Sequence, residues 1–413
     1  MKRNILHTSP RIHVPGKSLN RRACLRWASV AGLAGLLPAG CARRTQVASP
    51  DAATLMRFPQ KVALRAINDR APCLETPWQY FRHDLTPNEA FYVRWHLEAI
   101  PTRVDLRAWR LRVGGHVERP LELSMEDLRR MEAVSLVAVN QCSGNSRSLF
   151  EQRVPGGQWV NGAMGNARWT GVRLRDLLRR AGLRAGVVQV SFDGLDEGPL
   201  PSVPDFVKAL DVDHARQPEV LVAYEMNDAP LPMLNGFPAR LVVPGWYATY
   251  WVKALTHITV LDDPFTGFWM TAHYRIPATP GANESPEAPA QQTVPINRLN
   301  VRSFFVRPDP RALVPAGQAC ALEGIAFDGG HGIRQVEVSA DGGGSWSAAR
   351  LGEDLGRFSF RRWHAEWTPS ARGEYRLQVR AVNHAGEGQP TQANWNRGGF
   401  MRNVIEEIRV TAV

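Results

Sequence analysis

Short segments in which apolar and polar residues alternate fill the last third of the chain. They read "CALEGIAF", "IRQVEVSADGG", "SWSAARL", "FSFRRWHAEW" and "EYRLQVRAVN", and Gly, Asp and Pro residues separate them. Alternation with a period of two puts one face of each strand in a core and the other in water. The pattern predicts an all-β sandwich of immunoglobulin type over residues 286–413.

The region before this sandwich has a different pattern. A connector rich in Pro, Ala and Glu, "PGANESPEAPAQQ", occupies residues 280–292. Between 81 and 285, apolar strand-like runs alternate with helical segments: a capped helix beginning at Ser124, and an amphipathic helix ending at Gly182 with Leu174, Leu177 and Leu178 on one face. We therefore predict an α+β protein, with a mixed α/β domain followed by the sandwich.

The N-terminus has the features of an export signal. Arg21 and Arg22 are followed by Leu25 and an apolar run that ends at Leu37, too short to span a bilayer. Paired arginines before such a run are typical of the twin-arginine route, which carries folded proteins. We expect a signal over 1–45, an irregular arm over 46–80, no membrane span and a periplasmic location. Lipidation at Cys41 is an open alternative.

Charge and cysteine content exclude several classes of site. The net charge is +11, but the arginines are scattered, and no basic stripe interleaved with aromatic residues indicates nucleic-acid binding. The five cysteines form no CxxC pair, haem motif or zinc spacing. Cys73 and Cys320 are interpreted as free thiols, with a disulfide between them as the alternative. A basic surface also suits an anionic substrate or an acidic partner.

A single thiol, Cys142, lies in "VAVNQCSGNSR", residues 137–147. It follows an apolar run over 134–139. A nucleophile would need a base, and no histidine lies nearby in the sequence. A redox dithiol would need a second cysteine. A thiolate that binds a soft metal together with an organic cofactor needs neither. These roles stay open here, as does that of an inert buried cysteine, although Arg147 would favour the thiolate.

Further candidate residues occur in an ordered series of motifs. Arg94 and His96 are two apart in "FYVRWHL", so they face the same side of a strand. The other motifs are "GAMGNARWTGV", "NGFPARLVVPGWYATYWVK" and "GFWMTAHYRIP". They supply amide, guanidinium, ammonium and aromatic groups suited to anions and phosphates: Arg168, Asn235, Arg240, Lys253, Trp269, His273 and Tyr274.

In this order, these motifs, "NQCSGNSR" and "VLVAYEMNDAPLP" resemble the sulfite oxidase family of molybdenum enzymes, and most of all its bacterial sulfite dehydrogenases. The resemblance covers residues 80–413. It implies that Cys142 is the thiolate ligand of molybdenum carried by one molybdopterin. It also implies that a substrate pocket is formed by Arg94, His96, Arg147, Trp269 and Tyr274, and that the pterin and its phosphate are held by Arg94, His96, Asn145, Arg168, Asn235, Arg240 and Lys253.

The family also brings a C-terminal arginine into the pocket. In "NWNRGGFMRNV" either Arg397 or Arg402 matches, and Arg402 is the preferred candidate. One departure is Asn235, which stands where haem-carrying relatives have histidine.

The resemblance implies oxidation of sulfite to sulfate. No cytochrome b5 domain is apparent, so we expect no intrinsic haem and transfer of electrons to a separate c-type cytochrome. The C-terminal domain would form a homodimer, or the chain would pair with a haem subunit. Two alternatives are a sulfoxide reductase with the same cofactor and an exported binding or scaffold protein with a degenerate metal site.

Overall fold

The computed structural model describes residues 55–56, 60–68 and 71–413. The predicted signal over 1–45, with its paired arginines and Cys41, lies outside the described residues. Within them, no helix has both the length and the apolar character needed to cross a bilayer.

The N-terminal arm, predicted to be irregular over 46–80, contains strands in its described part. It contributes three strands to an antiparallel four-stranded sheet: β1 (Leu55–Met56), β2 (Leu64–Asn68) and β3 (Cys73–Glu75). The fourth strand, β4 (Val93–Arg94), follows the arm. These strands are short and prolines lie between them, so their alternation is too brief to recognise. They form because Leu64 and Leu74 pack with Trp95 in a small buried cluster. The pairing of β3 with β4 sets Cys73 opposite Arg94.

The mixed region contains two five-stranded sheets. The first has the order β10-β9-β14-β5-β6, from β5 (Leu111–Gly115), β6 (Leu121–Leu123), β9 (Gln189–Asp193), β10 (Lys208–Asp211) and β14 (His257–Leu261). The second has the order β12-β11-β8-β7, with β13 also paired to β11. Its strands are β7 (Ala133–Gln141), β8 (Met164–Arg173), β11 (Leu221–Met226), β12 (Ala229–Pro230) and β13 (Arg240–Val242).

The predicted helices are confirmed. The first, α1 (Met125–Arg129), begins after Ser124, which forms a capping box with Asp127. The second, α2 (Leu174–Ala181), buries its leucines and ends at Gly182, whose φ of 72° suits glycine. Two single turns, α3 (Val212–Ala215) and α4 (Phe268–Thr271), complete the described α-helices. Short 3₁₀ turns lie at Trp78–Arg82, Arg147–Leu149, Met233–Asn235, Ala248–Tyr250 and Pro280–Ala282.

The C-terminal region is all-β, as the alternation predicts. A hairpin of β15 (Arg275–Pro277) and β16 (Thr293–Pro295) encloses the connector. One sheet then has the order β17-β19-β23-β22 and the other β18-β25-β24-β20-β21. Both contribute to one apolar core that includes Leu322, Trp363 and Val410. The strands are β17 (Arg302–Arg307), β18 (Leu313–Val314), β19 (Cys320–Phe327), β20 (Ile333–Ser339), β21 (Ser347–Ala348), β22 (Arg350–Leu351), β23 (Arg361–Trp367), β24 (Gly373–Asn383) and β25 (Glu406–Ala412).

The loop between β24 and β25 returns to the mixed region. The Met401 amide donates to the carbonyl of Ser143 at 2.9 Å. Buried Arg302 on β17 donates to Ser146 and to Glu406, at 2.5 Å and 2.8 Å. These bonds attach the C-terminal region to the loop that carries Cys142.

Candidate active site

Cys142 is held in a fixed position at the end of β7. Its amide donates to the Ala163 carbonyl at 2.9 Å, and its carbonyl accepts from the Asn145 amide at 3.0 Å. Only 8% of the residue is exposed, and its thiol is free, as are those of Cys73 and Cys320. The backbone therefore aims one thiol into the interior without a disulfide partner.

Two adjoining cavities meet at this thiol, and four residues line both of them: Arg94, His96, Cys142 and Tyr274. The inner cavity is a narrow cleft, lined also by Tyr92, Asn140, Ser143, Leu234, Asn235, Arg240, Ala248, Thr249 and Lys253. The outer cavity measures about 940 Å³ and is lined by residues that include Cys73, Arg147, Trp269, His273, Arg397 and Phe400. The four shared residues thus form the boundary between a narrow cleft and a wide cavity.

Five buried polar atoms without hydrogen-bond partners belong to residues that line the inner cavity. They are the amide Nδ2 of Asn140, the hydroxyls of Ser143 and Thr249, Nε of Arg240 and Nδ1 of His96. A buried polar group left unpaired costs about 1–3 kcal/mol, and native interiors contain few of them. Five around one cleft indicate that the cleft is built for a polar ligand.

The inner cavity is also positively charged. Arg240 donates to the carbonyls of Asn235 and Trp251 at 2.9 Å and 3.1 Å. Burial lowers the pKa of Arg240 to about 10. Burial and the neighbouring Arg240 lower the pKa of Lys253 to about 7, although Asp196 opposes this shift. An anionic group bound in the cleft would be stabilised by both cations and would raise both pKa values.

Two arginines supply positive charge around the thiol. No carboxylate of the described residues lies within ion-pair distance of Arg94 or Arg147. Burial alone would lower the pKa of Arg94, but Tyr274, Cys73 and Cys142 together raise it above its ordinary value. Burial lowers the pKa of Arg147, which donates to the Gly157 and Gly398 carbonyls at 3.1 Å and 2.9 Å. Both guanidiniums stay charged, so the site favours anions.

Tyr274 and His96 form a hydrogen-bonded pair at the boundary of the cavities. Burial lowers the pKa of His96 well below its ordinary value, with Arg94 contributing. Burial raises the pKa of Tyr274 to about 12, so a neutral phenol meets a neutral imidazole at pH 7. Phe206 stacks on His96 with ring centroids 3.7 Å apart, and Phe400 stacks on Tyr274. These rings fix a proton donor beside the two arginines.

The C-terminal arginine at the site is not the preferred candidate. Arg397 lines the outer cavity and pairs with Glu284 at 3.2 Å. Arg402 instead lies in a buried cluster with Glu406 and Arg302, paired to Glu406 at 2.6 Å. Arg402 therefore lines neither cavity, and the choice between Arg402 and Arg397 as the substrate-pocket arginine stays a prediction, for which the geometry favours Arg397.

The chain matches two family models: the oxidoreductase molybdopterin binding domain over residues 96–269, and the Mo-co oxidoreductase dimerisation domain over 293–412. It is 33% identical to mitochondrial sulfite oxidase of Rattus norvegicus, over 87% of this chain and 67% of that protein. With sulfite oxidase of Gallus gallus the identity is 35%, over 77% and 71%. The crystal structure of the sulfane dehydrogenase SoxCD from Paracoccus pantotrophus matches with a TM-score of 0.71 and 25% identity, over 82% of this chain and 84% of that one.

The chain belongs to the sulfite oxidase family. The matched region spans 61–71% of the length of the vertebrate sulfite oxidases. The structural match extends over both the mixed region and the C-terminal region, so the sheet-rich architecture of the family is confirmed.

The residues of the inner cavity suit the molybdopterin of this family. The unpartnered donors around the cleft could hydrogen-bond a pterin, and Arg240 and Lys253 could neutralise its phosphate. Among the described residues, no cluster of three His, Cys, Asp or Glu side chains is able to hold a metal ion. A metal at this site would therefore need most of its ligands from an organic cofactor, with Cys142 as the one thiol at the boundary of the cavities.

Several predicted residues of the sulfite oxidase family lie near the cavities but use their side chains structurally. The Asn145 side chain accepts from the Ala163 amide and donates to the Asn161 carbonyl, so it shapes the Cys142 loop. Asn235 lines the inner cavity, donating to the Tyr92 carbonyl at 3.0 Å. Trp269 lines the outer cavity, and its indole Nε1 donates to the Pro204 carbonyl at 3.1 Å. None of these three is a free donor toward a ligand.

Arg168 is the predicted cofactor residue that the structure places elsewhere. It pairs with Asp228 at 2.6 Å on the surface, its side chain is 41% exposed, and it lines neither cavity. The reason is the alternation along β8, which turns Ala167 and Trp169 inward and Arg168 outward.

Sequence reasoning missed other residues at the site. Tyr92 is two residues before Arg94, so period-two alternation could have found it, and its hydroxyl donates to Asn140 at 2.6 Å. Asn140 likewise precedes Cys142 by two. Lys61 donates to the Asn235 side chain at 2.6 Å. No local sequence pattern predicts this contact, because the two residues are far apart in the chain.

Proposed function

We propose that this chain is a sulfite dehydrogenase, with Cys142 as the protein ligand of a molybdenum–molybdopterin centre bound in the inner cavity. Sulfite and water would give sulfate, two protons and two electrons. The observation that carries the proposal is the position of Cys142 between an inner cleft of unpartnered donors and an outer cavity bearing two arginines without carboxylate partners.

The cofactor, when bound, supplies the oxygen transfer and accepts the electron pair, while the protein binds and orients the anion. Arg94 would hold sulfite oxygens with charge-assisted hydrogen bonds, and Arg147 would add positive potential. The neutral Tyr274 phenol would donate a hydrogen bond to the substrate or to the neutral His96 imidazole. Arg397 lies in the wall of the outer cavity, where it would also attract the anion. Its effect would be weaker because it is already paired with Glu284.

The electrons would leave singly to a separate carrier, for which we propose a c-type cytochrome, with no haem in this chain. The C-terminal region matches a dimerisation domain, which supports assembly through this region, as a homodimer or beside a haem subunit. We also propose that this region is an immunoglobulin-type sandwich and that the protein is exported to the periplasm by the twin-arginine route.

The test is an assay of purified protein whose molybdenum content has been measured. We expect about one molybdenum per chain, and reduction of ferricyanide or cytochrome c that depends on sulfite. Thiosulfate and a methionine sulfoxide with reduced dye are assayed in parallel. Metal-loaded protein that turns over only one of these would contradict a sulfite dehydrogenase, and protein that retains no metal would support the scaffold alternative.

A further inference from the structure

Lys208 on β10 is a buried lysine that the proposed reaction does not use. Its side chain has no accessible surface. The ammonium donates one hydrogen bond, to the Trp269 carbonyl at 2.6 Å. No carboxylate of the described residues lies within ion-pair distance of it. Fully buried lysines are almost always paired, so this arrangement is unusual.

The surroundings of Lys208 connect it to the outer cavity. Its ammonium lies 4.8 Å from the ring centroid of Tyr250 and 5.4 Å from that of Tyr274. Its charge is also among those that lower the pKa of His96. Lys208 therefore lies one layer behind Trp269, Tyr274 and His96, which line the outer cavity.

This arrangement does not favour stability. Burial lowers the pKa of Lys208 from 10.5 to about 7, which means that the protonated form costs free energy in the folded state. Its two ring contacts and one carbonyl offset part of this cost. A methionine of similar length would fill the same space without a charge. The fold alone gives no reason for a lysine here.

We propose that Lys208 is a positioning residue for the anionic substrate, fixing the Trp269 carbonyl and the Tyr274 ring and adding positive potential behind Tyr274 and His96. This inference rests on the proposed function, because it assumes that a dianion binds in the outer cavity. The titratable groups around Lys208 are Tyr250, Tyr274 and His96; Arg94 and His273 act on His96, and Asp211 and Arg275 act on Tyr250. The two phenols and the imidazole stay neutral near pH 7, so Lys208 is the group of this cluster that titrates there.

The test compares Lys208→Met, Lys208→Arg and a matched control, Arg179→Gln. The control also removes one positive charge, but from a side chain that is 82% exposed. We expect Lys208→Met to raise the KM for sulfite on the order of tenfold with kcat changed less than about twofold. Lys208→Arg should recover most of the KM and lose the pH dependence that wild type shows near pH 7. Arg179→Gln should match wild type.

A second readout needs no turnover. Inorganic sulfate should raise the Tm of wild type more than that of Lys208→Met. Because the folded protein releases the Lys208 proton near pH 7 whereas the unfolded chain keeps it until about 10.5, wild type gains stability relative to Lys208→Met as pH rises through this window. The variant should therefore exceed wild type in Tm by the largest margin below pH 7.

The outcomes separate this inference from the proposed function. Wild type that lacks sulfite turnover overturns the proposed function, and sulfate binding and Tm then still decide on Lys208. A Lys208→Met protein with wild-type KM and an unchanged response to sulfate overturns the inference. A lowered Tm with these values unchanged would assign Lys208 a purely structural role.

Discussion

The inner and outer cavities share a wall of four residues, yet they differ in how their polar groups are satisfied. Five buried polar atoms of residues lining the inner cleft lack partners, and only one of them, Nδ1 of His96, belongs to a residue that also lines the outer cavity. In the outer cavity Arg147 is bonded to backbone carbonyls and Arg397 to Glu284. Unsatisfied buried groups are tolerated where a resident ligand completes them, whereas satisfied groups at a wide opening suit a ligand that exchanges. The contrast indicates a permanent cofactor inside and a transient substrate outside.

The boundary itself is tested by Cys142→Ser, which should have the largest effect. Changes to residues that support a metal site cost roughly 10–100-fold in activity, and loss of the metal-binding thiolate should cost more, leaving sulfite turnover below detection. The protein should still fold, because serine keeps the backbone bonds to Ala163 and Asn145. Molybdenum content, the visible spectrum and turnover are measured together. If the variant turned over sulfite as fast as wild type, Cys142 would not be a metal ligand. The assignment of a cofactor cavity and a substrate cavity on either side of this thiol would then be wrong.

Arg94→Gln tests the substrate side of the boundary. A hydrogen bond to a charged group contributes about 1.5–3 kcal/mol, so the KM for sulfite should rise roughly 10–100-fold. Because a charge is lost, the KM should also depend less on ionic strength than in wild type. Molybdenum content should be retained, and it is the control. An unchanged KM would contradict anion binding by Arg94, and loss of molybdenum would assign Arg94 to the inner cavity instead.

The sequence was most informative where regular alternation or local spacing decides the structure. The two-residue spacing of Arg94 and His96 predicts a shared face, and both line the same cavities. The position of Cys142 after an apolar strand predicts a thiol at a strand end. The strands of the C-terminal region follow because one face of each must be buried. In each case the information lies within about ten residues.

Prediction from sequence is weakest where distant packing decides. The family motif predicts Arg168 at the cofactor, whereas the alternation along β8 turns its side chain to the surface. Lys208 gave no signal, because a single lysine in an apolar strand does not show what surrounds it. The described strands of the arm pair with one another, but their sheet is completed by β4, which lies outside the arm. These features depend on contacts that no local pattern encodes.

The choice between two C-terminal arginines is a case of this limit, and it gives the third prediction. Arg397→Gln should raise the KM for sulfite a few-fold, since the guanidinium is already neutralised by Glu284. Arg402→Gln should leave the KM unchanged but lower the free energy of unfolding by about 1–3 kcal/mol, because buried Glu406 loses one of its two partners. The loss should not be larger, because Arg302 still pairs with Glu406. Steady-state kinetics and denaturant unfolding of both variants are compared. The reverse assignment of the two effects would restore Arg402 to the substrate pocket.

The smallest effect is expected for Arg168→Gln, and it tests how far the inner cavity extends. Arg168 and Asp228 are both substantially exposed, and surface ion pairs contribute about 0–1 kcal/mol. We expect the molybdenum content and the KM to equal those of wild type and the Tm to change little. Arg240→Gln is the matched comparison: Arg240 is buried in the inner cavity, so its loss should lower molybdenum content. Equal loss of metal in both variants would mean that the cofactor extends beyond the inner cavity to the surface of β8.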